Sequence, residues 1–169
     1  MDDDERAKGK HTVIVVAVAF LLMEAFTYVA HRWIMHGFGW AWHKSHHQPP
    51  TESPFETNDL YPVVFAGMTI MAMAAGTVSS GAWHLLVGTG IGVTAYGAAY
   101  LFVHDVYIHQ RLGRLPRFGL LDRLGAAHRI HHLYGGEPYG MLLPIVPAAL
   151  KERAAKTLVL EGSRAYSSR

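Results

Sequence analysis

Residues 12–30 read TVIVVAVAFLLMEAFTYVA, and residues 31–47 follow without a break as HRWIMHGFGWAWHKSHH. The first stretch is 19 residues with a single charge, Glu24. As a helix it is long enough to cross a hydrocarbon core of about 30 Å. Lys8 and Lys10 precede it, as in a secretory signal peptide. Its length and the lack of a following A-x-A-like site favour a retained span instead. The second stretch holds five histidines in 17 residues. The chain therefore leaves the apolar phase directly into a concentration of nitrogen ligands.

Working outward, Leu60–Val78 is a second apolar run without charge, Ser79-Ser80-Gly81 makes a turn, and Leu85–Val103 is a third. Glycines 88, 90, 92 and 97 of that third run allow close helix approach and leave room for a ligand. Gly37, Gly39, Pro49, Pro50 and Pro54 break the segment between the first two runs, predicting a helix end, a short helix and a loop. Pro138–Leu150 is apolar but has 13 residues and contains Pro144 and Pro147, so a re-entrant or interfacial segment is expected. Residues 1–11 are polar and expected to fray; residues 151–169 read as a basic helix giving way to a disordered polar tail. The expected fold is all-α and integral to a membrane. It has three transmembrane helices, or four if 138–150 crosses, and a helical cap on one face. Residues 1–150 form one domain and 151–169 a tail.

At 169 residues and net charge +2, nothing argues for a nucleic-acid partner. With no cysteine, disulfides, thiolate zinc sites and cysteine-ligated iron–sulfur clusters are excluded. Three spans place residues 31–59 and 104–137 on the same side. That side carries Arg32, Lys44, Arg111, Arg114, Arg117, Arg123, Arg129 and the basic tail, against Arg6, Lys8 and Lys10 opposite. The positive-inside rule puts it in the cytoplasm, at the cytoplasmic membrane.

Ten of the twelve histidines fall in four groups: His31 and His36; His43, His46 and His47; His104 and His109; His128, His131 and His132. The spacing H-x4-H followed by H-x2-H-H occurs twice, in that order. Only His11 and His84 stand outside, on the opposite side. Imidazole is the commonest nitrogen ligand of first-row transition metals, and ten of them exceed what one structural ion needs. A two-metal centre is expected. On a helix turning about 100° per residue, the first and third members of H-x2-H-H share a face, while the middle one turns toward a second ion. The H-x4-H pairs diverge by about 140° on an ideal helix. They serve two metals, or one metal through a local bulge.

The stretches HRWIMHGFGWAWHKSHHQP (31–49), FETNDLYPVVFA (55–66), TAYGAAYLFVHDVYIHQR (94–111) and AHRIHH (127–132) resemble the membrane fatty acid hydroxylase/desaturase superfamily of histidine-rich di-iron enzymes. Within it they are most similar to the bacterial β-carotene 3-hydroxylases. The resemblance covers roughly residues 12–150. It implies two non-haem irons held by the ten histidines and O2 as cosubstrate. It further implies hydroxylation of β-ionone rings at C3 and C3′, from β-carotene through cryptoxanthin to zeaxanthin, with ketocarotenoids as further substrates. Electrons would come from reduced ferredoxin and its NAD(P)H-dependent reductase; no G-x-G-x-x-G opens a helix here. The chain departs from the pattern after the last histidine group, where GGEPYGMLLPIVP replaces an aromatic-rich stretch. Other readings are a hydroxylase or desaturase of another lipid, fatty acyl or sterol, and a membrane metal-binding protein without oxygen chemistry.

Three carboxylates are candidates to orient a ligand imidazole: Glu24, which shares a helix face with Tyr28 and His31, Asp59 beside Asn58, and Asp105 next to His104. Phe65, Tyr96, Tyr100 and Phe102 are candidates to line a slot for a polyene. The arginines of 111–129 are candidates for docking an acidic electron donor or anionic lipid.

Overall fold

The computed structural model describes residues 3–48, 53 and 55–167, the ends of the first and last helices as backbone alone. Pro49, Pro50 and Pro54, read as helix breakers, lie outside the described residues. Helix α1 covers Asp3–Val29, so the polar start continues the helix from its first described residue. Helix α2 is short, Trp40–His43; α3 covers Leu60–Val78, α4 Leu85–Leu101, α5 Gly119–Tyr134 and α6 Ala148–Ser167. Two stretches extend helices in π geometry: Ala30–Phe38 after α1 and Phe102–Ile108 after α4.

The architecture is all-α, with three helical segments long and apolar enough to cross a membrane: Lys8–Phe38, Thr57–Val78 and Gly81–Ile108. Their mean hydropathies are 2.3, 1.5 and 1.5. Residues 138–147 form no fourth span. They run as irregular chain that reaches α1 at Glu24, where the amides of Met141, Leu142 and Leu143 bond the Glu24 carboxylate. In a membrane an irregular backbone persists only where protein satisfies its polar groups, and Glu24 does that here.

Helix α4 is the central one, packed on α1 on one side and α3 on the other. Its glycines are the reason it fits. A Cβ at Gly88 would stand 3.1 Å from Val15 of α1, and one at Gly92 would run into the Val16 carbonyl. A Cβ at Gly90 would strike Met73 of α3. The room at these three glycines is filled by neighbouring helices, whereas a Cβ at Gly97 would meet nothing within 4 Å. Val13, Leu21, Val63, Ile70 and Met71 point outward and are exposed, as lipid-facing side chains must be.

The consequence for the site is geometric. The end of α1, α2, the start of α3 and the end of α4 meet at one end of the bundle, and α5 closes over them, packing on the Phe102–Ile108 stretch.

Candidate metal centre

All ten grouped histidines meet at this end. His31, His36, His43, His47 and His131 offer ring nitrogens that all lie within 4.8 Å of one another, and so do His46, His109, His128 and His132. His104 adjoins the second set, its Nε2 3.0 Å from that of His46. His84 and His11 belong to neither set.

Local helix geometry explains the sorting. In the π-helical stretches the backbone bonds five residues back: Gly39 N–H donates to Ile34 O at 2.8 Å and His109 N–H to His104 O at 2.9 Å. Residues five apart then sit one above the other, which is how His31 and His36 reach the same set and His109 comes beside His104. The bulge is thus the alternative realised, at both H-x4-H pairs. His128, His131 and His132 sort on α5 as ideal helical turning requires, and the first triplet sorts the same way although His46 and His47 follow α2 in turns, their amides bonding His43 O and Lys44 O at 3.0 and 3.2 Å. His43 and His47 enter the first set while His46 crosses to the second. His128 and His132 enter the second while His131 crosses to the first. Each set is therefore one H-x4-H pair, the outer members of one triplet and the middle member of the other. The sequence repeat is a spatial exchange.

The ring-nitrogen separations test whether an ion fits. Nε2 pairs stand at 3.1 Å for His31 and His43, 3.1 Å for His36 and His131, and 3.2 Å for His43 and His47. In the second set they are 3.0 Å for His109 and His128, 3.1 Å for His46 and His132, and 2.8 Å for His128 and His132. With metal–nitrogen bonds of about 2.1 Å, ligands about 90° apart stand about 3.0 Å from each other, and tetrahedral ones about 3.4 Å. The spacing matches five- or six-coordinate ions better than tetrahedral zinc.

Protons tell the same story. His31 Nδ1 donates to the Tyr139 carbonyl at 2.9 Å and His43 Nδ1 to Asn58 Oδ1 at 2.7 Å. His131 Nδ1 donates to the Gly136 carbonyl, His46 Nδ1 to Glu56 Oε2 at 3.3 Å, and His104 Nδ1 to Asp105 Oδ2 at 3.2 Å. A neutral imidazole has one N–H, so these five rings turn Nε2 lone pairs inward. His31 faces His43, and His46 faces His104, lone pair to lone pair at hydrogen-bond distance, an arrangement that calls for a cation between them. Burial, then the neighbouring imidazoles, lower the pKa of His47 to about 4 and of His109 to about 3. Burial likewise lowers His43 to about 2 and His131 to about 4, and it holds His128 and His132 well below the ordinary imidazole value. The residues present fit a pair of transition-metal ions.

The partners behind the two sets differ. Glu56, Asp59 and Asp105 converge on Arg111, at 3.0, 2.8 and 3.4 Å, behind His46 and His104. Hydrogen bonding from His46, and then the Arg111 charge, hold Glu56 at about 2. Arg111, expected to belong with the exposed basic stretch, is turned inward by these three carboxylates. Asp59 binds Arg111 and the Glu56 N–H, not an imidazole. Behind the first set stand neutral acceptors. Tyr139 and Gly136 lie on the irregular chain after α5, and the whole Glu24 face of α1 holds that strap: Glu24 through the three amides, Tyr28 through Glu137 at 2.6 Å, and His31 through Tyr139. Glu24 is therefore not placed against an imidazole, because four donors, Tyr96 Oη among them at 2.5 Å, already surround it.

Tyr96 is buried and bonded to Glu24, its ring centroid 6.4 Å from that of Tyr100, which stacks on His104 with centroids 5.0 Å apart. Phe65 packs edge-on against Phe26, and Phe102 faces outward. Sequence reasoning missed Glu56, the two strap carbonyls and Glu137. Glu56 carried a signal, standing three residues before Asp59 in a capping arrangement; backbone carbonyls carry none.

Fold and site together define a protein with three helices able to cross a membrane and two candidate histidine-built metal sites at one end of them. The chain belongs to the fatty acid hydroxylase family, whose model matches residues 16–150. It is 42% identical over 166 residues to a β-carotene hydroxylase of Pantoea ananas, covering 92% of this chain and 89% of that protein. It is 43% identical over 129 residues to a β-carotene hydroxylase of Paracoccus sp. (strain PC1), covering 75% and 77%. To a chloroplastic β-carotene 3-hydroxylase of Arabidopsis thaliana it is 40% identical over 126 residues, covering 72% of this chain and 40% of that one. No solved structure matches it.

Proposed function

We propose that the protein is a di-iron monooxygenase of the cytoplasmic membrane. It hydroxylates β-ionone rings at C3 and C3′, converting β-carotene to cryptoxanthin and zeaxanthin and accepting ketocarotenoids. The observation that carries the metal reading is the pair of lone-pair-facing imidazole sets at cis-ligand spacing. The relatives' names support the substrate. A bound iron pair would supply O2 activation and oxygen insertion into a C–H bond. The chain's residues do the rest. His31, His36, His43, His47 and His131 would hold one ion, and His46, His104, His109, His128 and His132 the other. Asn58, Glu56, Asp105 and the strap carbonyls fix which imidazole nitrogen carries the proton and hold the ring planes. The lipid-facing helices give a polyene access from the bilayer. Electrons come from reduced ferredoxin and its NAD(P)H-dependent reductase, meeting the site on the cytoplasmic side.

The test is expression in cells that accumulate β-carotene, with ferredoxin and its reductase. Zeaxanthin by chromatography is expected. Unchanged carotene beside an active donor system would refute the reading, and oxygenated fatty acids or sterols would move it to another lipid. Mössbauer spectra and metal analysis of purified protein should show two irons per chain.

A further inference from the structure

The site does not use the run Leu112–Leu120, in which every residue is exposed. It reads L-G-R-L-P-R-F-G-L, placing an apolar side chain at 112, 115 and 118 and an arginine at 114 and 117. Leu112 is 82% exposed, Leu120 70% and Phe118 52%, one side of the Phe118 ring meeting Tyr107. The far end of the loop is pinned low. Phe118 N–H donates to Tyr107 Oη at 2.8 Å, and Tyr107 O–H donates to Asp122 Oδ1 at 2.8 Å in the first turn of α5. Tyr107 belongs to the last turn of the third membrane-crossing segment, which ends at Ile108. The loop thus leaves that segment at one end and is tied back to its final turn at the other. It is held at the depth where hydrocarbon meets headgroups. Beside it opens a cavity of about 350 Å³, with Arg117, Arg129, Gln110 and Tyr107 on its walls. Asp122, also on the wall, is matched by Arg117 at 3.1 Å.

We propose that residues 112–120 form a monotopic membrane anchor. Leu112, Leu115, Phe118 and Leu120 enter the bilayer interface, while Arg114, Arg117 and Arg129 bind the phosphates of anionic phospholipids. The loop's place beside the end of a membrane-crossing segment, to which buried Tyr107 ties it, favours a bilayer over a soluble partner, and the arginines select anionic headgroups. Arginine alternating with bulky apolar side chains gives the loop one wet and one dry side.

The chain has no cysteine, so single-cysteine spin labelling of the full-length protein is direct. Leu112→Cys, Leu115→Cys, Phe118→Cys, Arg114→Cys and, as a lipid-facing reference, Ile70→Cys would be labelled in phosphatidylcholine nanodiscs with and without phosphatidylglycerol. Labels at 112, 115 and 118 should be relaxed by O2 in preference to a water-soluble nickel chelate, as at 70, and the label at 114 the reverse. Phosphatidylglycerol should shift 112, 115 and 118 deeper, and Arg114→Gln with Arg117→Gln should abolish the shift. Water-like accessibility at 112, 115 and 118 would overturn the proposal and make the loop a surface for a soluble partner. A depth unaffected by phosphatidylglycerol would overturn the headgroup part. Neither result depends on metal or turnover.

Discussion

Glu24 shows what a single carboxylate can hold. Replacing it with alanine leaves three backbone N–H groups and the Tyr96 hydroxyl without their acceptor inside the bundle. Each such loss costs about 1–3 kcal/mol. Glu24→Ala should therefore lower thermal stability in detergent by a wide margin, measured by fluorescence-detected size exclusion after heating. Glu24→Gln keeps the shape but adds donors among donors. The strap it holds touches His31 and His131, both in the first set, so one of two iron environments in the Mössbauer spectrum should change and the other stay. Unchanged spectra would show that the strap does not position those rings. The counterpart lies behind the second set. Glu56→Ala and Asp105→Ala remove the acceptors of His46 and His104, and metal affinity at that set should fall by about 10–100-fold. Competition with a chelator of known affinity measures it. The clustering of the ten histidines was legible in the sequence because histidine declares its chemistry and its spacing repeats. The roles of Glu24 and Arg111 were not, because a charged side chain's partner is chosen by chain segments 72 to 119 residues away in one case and by three separate carboxylates in the other.

At the scale of elements, two devices matter, and sequence reading met one of them. Helical turning of about 100° per residue accounts for His128, His131 and His132 on α5, while His46 and His47 sort the same way from turns that follow α2. The H-x4-H pairs had two outcomes open, and the choice fell to the backbone: both pairs sit where a helix widens into π geometry. The five-residue spacing supplies the signal, but only the fold says that both rings share a target. The glycine packing of α4 is the second device. Gly92→Leu would drive its side chain into the Val16 carbonyl and Ala19 of α1, whereas a Cβ at Gly97 would meet nothing within 4 Å. Overpacking costs about 1–3 kcal/mol. Gly92→Leu should lower the melting temperature clearly while Gly97→Leu leaves it unchanged or raises it, through better helix propensity. Equal effects at the two positions would mean that α1 and α4 are not packed at that face.

For the whole molecule, hydropathy alone placed the three spans and put both histidine regions on one side, because length and apolar content decide membrane crossing. That residues 138–147 form no fourth span was legible from their length and prolines, but the distant acceptor that satisfies their amides, Glu24, was not. The site then links metal to stability. The ten histidines come from the ends of α1 and α4, from α2 and the turn after it, and from α5, so ions held by them as proposed would tie these elements together. Metal that binds the folded chain alone stabilises it. Chelation should therefore lower the melting temperature, and restoring ferrous iron should raise it. Acid should act on the metal-free protein in a defined window. Unfolded imidazoles take up protons near 6.5, whereas folded His47 and His131 wait until about 4 and His109 until about 3. Between those values the unfolded chain binds more protons, so stability falls as pH drops from 6.5 toward 4, and it goes on falling below 3, where folded His43 holds out to about 2. Melting temperatures of chelated protein across pH 7.5 to about 4 would trace that slope, and a flat profile would mean that the imidazoles are not held neutral by burial.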